Sequence, residues 1–101
     1  MKVISSQKYT NEETVAAKME EMANETYVEL PVVDIEMKDN DGNDLYSLID
    51  GHHRLAAAKE LGLEIRFVEE KESEGLTGEA YLDARWMDSD WYDVITDVNV
   101  W

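Results

Sequence analysis

One stretch of the chain changes its hydrophobic pattern from that of a strand to that of a helix at a single glycine. Residues 45–49 (LYSLI) form a short apolar run, and residues 55–61 (LAAAKEL) are rich in alanine and leucine. Gly62 follows at a position where helices commonly end. Between the two patterns lies the segment Asp50–Arg54, which holds both histidines and one of the three arginines. The pattern predicts a strand, a glycine turn and a helix over about His52–Leu61.

A turn of this kind is suited to an anion. The first N–H groups of a helix have no partner within the helix, and the helix dipole places about half a positive charge at the same end. Arg54 adds a side chain that pairs well with phosphate. We therefore expect a phosphate or another anion at Asp50–Arg54. The ordinary structural alternatives are that Asp50 caps the helix and that Arg54 pairs with a surface acid.

Hydrophobic patterns elsewhere predict a small α/β (α+β) domain over residues 1–101. A capping box at Thr10 and Glu13 predicts a helix that ends near Asn24. The remaining predictions are a short edge strand at 3–4, a hairpin of strands 27–36 and 44–49 across the turn 39–43, a half-buried strand at 64–69 and two short C-terminal helices. Pro31 predicts an edge position or a break. Ser89 is expected to cap the last helix, with Trp86 and Trp91 in the core.

Charge limits the classes of partner. The chain has 24 acidic and 9 basic residues, a net charge of −15 spread over both halves, and after Lys71 its one basic residue is Arg85. Nucleic-acid affinity comes largely from Lys and Arg that neutralise phosphates, so this composition disfavours direct DNA binding. Solubility is the ordinary explanation of such acidity. A more specific explanation is docking to a basic protein, or mimicry of a nucleic acid's charge.

The chain has no cysteine, which excludes disulfides, thiol catalysis and thiolate metal sites. No apolar run approaches the ~20 residues needed to cross a bilayer, so we expect no membrane insertion. The N-terminal residues show no long apolar signal region. A cytoplasmic protein is the simplest expectation.

Residues 48–62 (LIDGHHRLAAAKELG) resemble the signature of the ParB/sulfiredoxin superfamily. In that superfamily a strand ends in a glycine, a short polar segment with arginine follows, and an alanine-rich helix ends in a second glycine. Residues 29–32 and the strand at 65–68 fit the same compact domain, so the resemblance covers roughly residues 27–70. It implies a ParB/sulfiredoxin-like fold, with a small mixed sheet and flanking helices.

Three branches of the superfamily differ at this motif. Partition proteins have Gly-Glu-Arg-Arg, of which Gly51 and Arg54 match, and they continue into a DNA-binding region for which this chain is too short. Sulfiredoxins have Gly-Cys-His-Arg, but the position of their catalytic cysteine is His52 here, which excludes sulfinic acid reduction. The sequence Asp-Gly-His-His-Arg is most similar to the free-serine kinases, which are considerably longer than this chain.

The resemblance to the kinases implies roles for six residues. Asp50 would be the catalytic acid and would contact Mg²⁺ held with a nucleotide, and Glu29 is a candidate second carboxylate. The nucleotide would be ATP, ADP or CTP. The residues of the phosphate cradle would be Gly51, His52, His53 and Arg54.

Three functions follow as hypotheses. The first is a nucleotide- or phosphate-binding domain, with phosphotransferase or nucleotide hydrolase activity left open. The second is a non-enzymatic acidic adaptor or inhibitor on a ParB-like fold, with a basic protein as its partner. The third is a ParB-like nuclease or DNA-binding protein, which the charge disfavours most.

Overall fold

The structure, a computed structural model that describes residues 1–101, is organised around one long strand. Its elements in chain order are β1 (Lys2–Ser5), α1 (Glu12–Glu21), β2 (Tyr27–Lys38), β3 (Asp44–Leu48), α2 (His52–Leu61), β4 (Glu64–Glu70), α3 (Gly78–Arg85) and β5 (Tyr92–Asp93). The five strands form one sheet in the order β4-β2-β3-β1-β5. β2 pairs with β4 in parallel along its first half and with β3 in antiparallel along its second half.

The sheet has a hydrophobic core on each face. Alternation along β2 sends Val28, Leu30 and Val32 to one face and Val33 and Ile35 to the other. The first face is covered by α1 and α2, and α2 approaches it closely through the fully buried Ala57 and Ala58. The second face is covered by α3 through Tyr81. None of the three helices is long and apolar enough to span a membrane.

The predicted α+β domain with a small mixed sheet and flanking helices is confirmed. The helix predicted over His52–Leu61 has those bounds, and the hairpin across residues 39–43 is present as β2 and β3. The strand predicted at 64–69 extends one residue further, to Glu70. These elements are the ones with strong local signals in the sequence.

Pro31 was predicted to mark an edge or a break, and it does neither. It lies inside β2, opposite Val68 of β4, and its carbonyl accepts the N–H of Ile49 at 3.2 Å. β3 ends at Leu48, immediately before that contact. The N–H and C=O of a strand residue point to the same side. The N–H that proline lacks would therefore face the end of β3, where the hydrogen bonds between β2 and β3 stop.

Three predictions near the N-terminus are also wrong. α1 is capped by Asn11, whose side chain accepts the Thr14 N–H at 3.1 Å, and not by Thr10. The helix ends at Glu21, before the predicted stop at Asn24. β1 is not an edge strand, because β5 pairs with it on the outside.

The helix predicted after Ser89 is wrong. Tyr92 and Asp93 form β5 instead, paired with β1, and Tyr92 is buried. The Ser89 hydroxyl donates to the Ser6 carbonyl at 2.9 Å and does not cap a helix. Pairing with β1 is a long-range interaction that the local helical spacing could not reveal. Trp86, predicted to be in the core, is 57% exposed.

The buried carboxylate of Asp39 links the β2–β3 hairpin to β1 through hydrogen bonds. Asp39 accepts hydrogen bonds from Lys2 Nζ at 2.6 Å, from Asn43 Nδ2 at 3.0 Å and from the N–H groups of Asp41 and Asn43. The lysine contact, followed by the Asn43 contacts, holds the pKa of Asp39 well below its usual range. The turn is therefore a structural element of the sheet.

A buried hydroxyl pair under α3 gives a test of the second core. The Tyr81 hydroxyl donates to Ser47 Oγ at 2.8 Å, and both residues are buried. Tyr81→Phe is expected to reduce the free energy of unfolding by about 1 kcal/mol, because Ser47 loses its partner. Tyr9→Phe is the matched control, since Tyr9 is 77% exposed. Urea unfolding measures both, and equal midpoints would contradict the role of the pair.

Candidate functional site

The Asp50–Arg54 turn leaves the sheet beside the middle of β2. Gly51 precedes the first residue of α2 in the left-handed conformation, with φ of +86°. A Cβ at this position would lie 2.7 Å from Leu30 Cδ2, and Leu30 is fully buried. Gly51 is therefore required both by its backbone conformation and by its close approach to β2.

The first turn of α2 has unpaired donors. Its first backbone bond runs from Leu55 N–H to the Gly51 carbonyl at 2.8 Å, so the N–H groups of His52, His53 and Arg54 have no acceptor in the protein. The first turn contains no acidic residue. The Asp50 carboxylate accepts the Gly51 N–H at 2.8 Å and does not cap the helix. The unpaired N–H groups of His52, His53 and Arg54 are free to bind an anion.

A cleft of about 650 Å³ borders this helix end and contains His52. Its walls come from the end of β1, the end of β3, the segment after β4 and the end of α3. One part of the lining is polar and another is aromatic and apolar. The polar part includes Ser5, Ser6, Ser47, His52, Lys71 and Arg85.

His52 is held in one orientation by Ser5. The Ser5 hydroxyl oxygen accepts the Gln7 N–H at 3.0 Å and lies 2.7 Å from His52 Nε2. The Ser5 hydroxyl and Nε2 therefore share one hydrogen bond, whose direction depends on the tautomer of the His52 ring. Burial lowers the pKa of His52, and this outweighs the opposing effect of the Asp50 carboxylate. The Ser5 contact involves Nε2 and leaves the second ring nitrogen, Nδ1, outside that hydrogen bond.

The next two residues of the motif face other directions. Successive helical residues are rotated by about 100°, so three in a row cannot share one side of α2. His53 Nε2 accepts the Asn11 N–H at 3.1 Å and ties α2 to the start of α1. Arg54 lines a separate groove of about 460 Å³ together with Glu29. Arg54 and Glu29 are therefore brought together, but away from the cleft that contains His52.

Asp50 lies at the surface and lines neither of these two cavities. No group of three or more His, Asp or Glu side chains is arranged to hold a metal ion. Mg²⁺ bound with nucleotides takes one or two carboxylates and the phosphates as ligands. Asp50 fits the role of such a single carboxylate, for an ion that arrives with the nucleotide.

Sequence reasoning missed three residues of the cleft: Ser5, Lys71 and Arg85. Their positions in the chain carry no local motif, and only the sheet brings them beside α2. Arg85 is bound by the carboxylates of Glu72 and Glu74. With Lys71 and Arg85 opposed by Glu70 and Glu72, the cleft lining is formally neutral in a chain of net charge −15.

No protein-family model and no curated protein sequence matches this chain.

Two glycines of the same conformation test the contact under the turn. Gly42 and Gly51 have φ of +84° and +86°, but a Cβ at Gly42 would meet nothing within 4 Å. Gly42→Ala is expected to cost about 1 kcal/mol from backbone strain alone. Gly51→Ala should cost a further ~1–3 kcal/mol, because the new methyl group overpacks Leu30. Urea unfolding measures both losses of stability. Equal losses would show that the Leu30 side chain moves aside without an energetic cost.

The partly buried His52 predicts a pH dependence of stability. The unfolded chain takes up a proton near the ordinary value of 6.5, whereas the folded chain takes it up at a lower pH. The stabilising contribution is therefore complete above about pH 6.5 and is lost as the pH falls through the lowered pKa.

Urea unfolding at about pH 7.5 and about pH 5.5 measures this loss. His52→Gln should lose less stability between the two conditions than the wild type does. His53→Gln is the control and should retain the wild-type loss. The assignment to His52 fails if His53→Gln, and not His52→Gln, removes the pH dependence.

Proposed function

We propose that this protein binds a small phosphate-bearing anion at the start of α2, facing the cleft. The observation that carries the proposal is the set of three unpaired N–H groups on the first turn of α2, beside that cleft. Helix N–H groups point along the axis toward the N-terminus, and the dipole makes that end attractive to anions. The first turn itself contains no acidic residue, and the nearest carboxylate in the chain, that of Asp50, accepts the Gly51 N–H.

Side chains of the cleft complement these donors. His52 lines the cleft, and its ring is held there by the hydrogen bond between Nε2 and Ser5. Lys71 is exposed, lines the same cleft and forms no ion pair within the protein. The neutral lining spares a small anion the local repulsion that the net charge of −15 creates elsewhere. A long nucleic acid would extend beyond this local region and meet the acidic surface.

A nucleotide is the favoured source of the phosphate. The cleft volume falls within the range of roughly 300–1,000 Å³ that is usual for small-molecule sites. The resemblance of Asp50–Arg54 to the ParB/sulfiredoxin signature supports the same ligand class, with ATP, ADP and CTP as the candidates. Asp50 would supply one ligand to Mg²⁺ that accompanies the phosphates.

We propose that the site binds the anion without a transfer or hydrolysis step. Phosphoryl transfer in the resembling kinases would draw on both Asp50 and Glu29, but Glu29 lines the Arg54 groove and not the His52 cleft. Arg54 contributes its backbone N–H to the proposed site, and it lines the separate groove that also contains Glu29.

A titration followed by amide NMR tests the proposal. Inorganic phosphate, ADP and CTP are added in turn, each with and without Mg²⁺, to the ¹⁵N-labelled protein. The N–H signals of residues 52–54 should shift most, because their protons bind the phosphate directly. If these signals do not move with any of the probes, the proposal is wrong.

Charge-matched variants separate the site from the general field of the protein. Lys71→Met and Lys38→Met remove the same charge, but Lys38 lies at the hairpin end of β2, paired with Asp44. We expect Lys71→Met to weaken binding of the best probe about threefold to tenfold, with little effect from Lys38→Met. Equal weakening by both would indicate a non-specific effect of net charge.

A further inference from the structure

A second cavity, which we call the tryptophan groove, lies on α3 beside the C-terminal segment. Four residues of the groove follow the spacing i, i+3, i+4 and i+7, which places them on one face of α3 and its C-cap. They are Glu79, Leu82, Asp83 and Trp86. Trp91 and Trp101 complete it, and its volume is about 640 Å³. All three tryptophans of the chain therefore meet at one place.

The floor of the groove is fixed and its walls are exposed. The Trp91 ring packs against buried Tyr81, with ring centres 6.2 Å apart and planes tilted by 48°. The Val100 N–H donates to the Trp91 carbonyl at 3.0 Å, which brings the following residue, Trp101, alongside. Trp86 and Trp101 remain 57% and 52% exposed.

Exposed indoles at one position favour an interaction site. Tryptophan has the largest apolar side chain, and leaving two of them half in water forgoes stabilisation that burial would provide. Clustered exposed aromatic residues are typical of binding surfaces, where tryptophan is enriched among the residues that contribute most affinity.

The charges of the groove define the sign of its ligand. Both charged residues in its lining, Glu79 and Asp83, are acidic and exposed, and no basic residue lines it. Arg85 is on α3 as well, but its guanidinium is bound by Glu72 and Glu74 in the other cleft. An anionic ligand or an anionic membrane would be repelled here.

A second copy of the chain is also a poor occupant. Two grooves facing each other would bring their own carboxylates together, and two chains of net charge −15 repel one another. A cationic side chain is repelled neither by the carboxylates of the groove nor by the net negative charge of the chain. A guanidinium or ammonium group is attracted to the face of an indole and pairs with a carboxylate at the same time.

From this geometry we propose that the tryptophan groove binds arginine or lysine side chains of a cationic segment of a partner protein. The side chain lies against Trp86 and Trp101 over the Trp91 floor, and its charge is met by Glu79 and Asp83. Trp86 and Trp91 also line the cleft beside α2, whereas Glu79, Asp83 and Trp101 line this groove and not the cleft.

Defined peptides test the proposal. The probe is a blocked decapeptide of alternating arginine and alanine, and its control is the same peptide with citrulline, which has the shape of arginine without its charge. The three indole Nε1–H signals of the ¹⁵N-labelled protein, assigned with single Trp→Phe variants, are the readout. We expect the arginine peptide to shift them and to bind at least about tenfold more tightly than the citrulline peptide.

Matched variants distinguish the groove from general attraction to an acidic protein. Glu79→Gln/Asp83→Asn and the control Glu20→Gln/Glu60→Gln each remove two exposed negative charges. The first pair should weaken binding of the arginine peptide about tenfold, and the control about twofold or less. Trp86→Leu, at an exposed position, should also weaken it severalfold.

Three results would overturn the proposal. The first is that the indole signals stay in place, and the second is that citrulline and arginine peptides bind alike. The third is that the control pair weakens binding as much as the groove pair. The amide signals of residues 52–54 are recorded in the same spectra, so failure of the groove and failure of the anion site are distinguished.

Discussion

The close approach of Gly51 to Leu30 sets where α2 begins and how it lies on the sheet. Leu30 belongs to the core on the first face of the sheet and is fully buried, so the turn above it has no space for a side chain. A left-handed glycine at that point lets α2 begin at once and lie flat on the sheet through Ala57 and Ala58. The N-terminus of α2 is thereby held beside the cleft, with its first N–H groups unpaired.

The starting point of α2 also decides which residues of the motif act together. Because each helical residue is rotated by about 100°, the three residues after Gly51 leave the helix on three sides. His52 enters the cleft and contacts Ser5, His53 contacts the start of α1, and Arg54 joins Glu29 in another groove. The motif thus contributes one side chain and a set of backbone donors to the proposed anion site.

Prediction from the sequence succeeded where the interaction is local. The glycine turn, α2 and the β2–β3 hairpin depend on neighbouring residues, and each was predicted with bounds close to those observed. It failed after Ser89, where pairing with β1 overrides helical spacing, and at Pro31, whose missing N–H matters only if an adjacent strand continues. The cleft residues Ser5, Lys71 and Arg85 were missed for the same reason, since residues distant in sequence meet only in the folded sheet.

The sequence by itself determined the α+β class, the position of the strand-to-helix turn and the acidic composition. These follow from local conformational preference and from composition, which do not depend on how the chain packs. The tertiary structure alone decided that Arg54 shares a groove with Glu29, that His52 contacts Ser5, and that the three tryptophans line one groove beside α3 with two of them exposed. Side-chain direction and exposure depend on which surfaces the folded sheet covers, and local sequence does not contain that information.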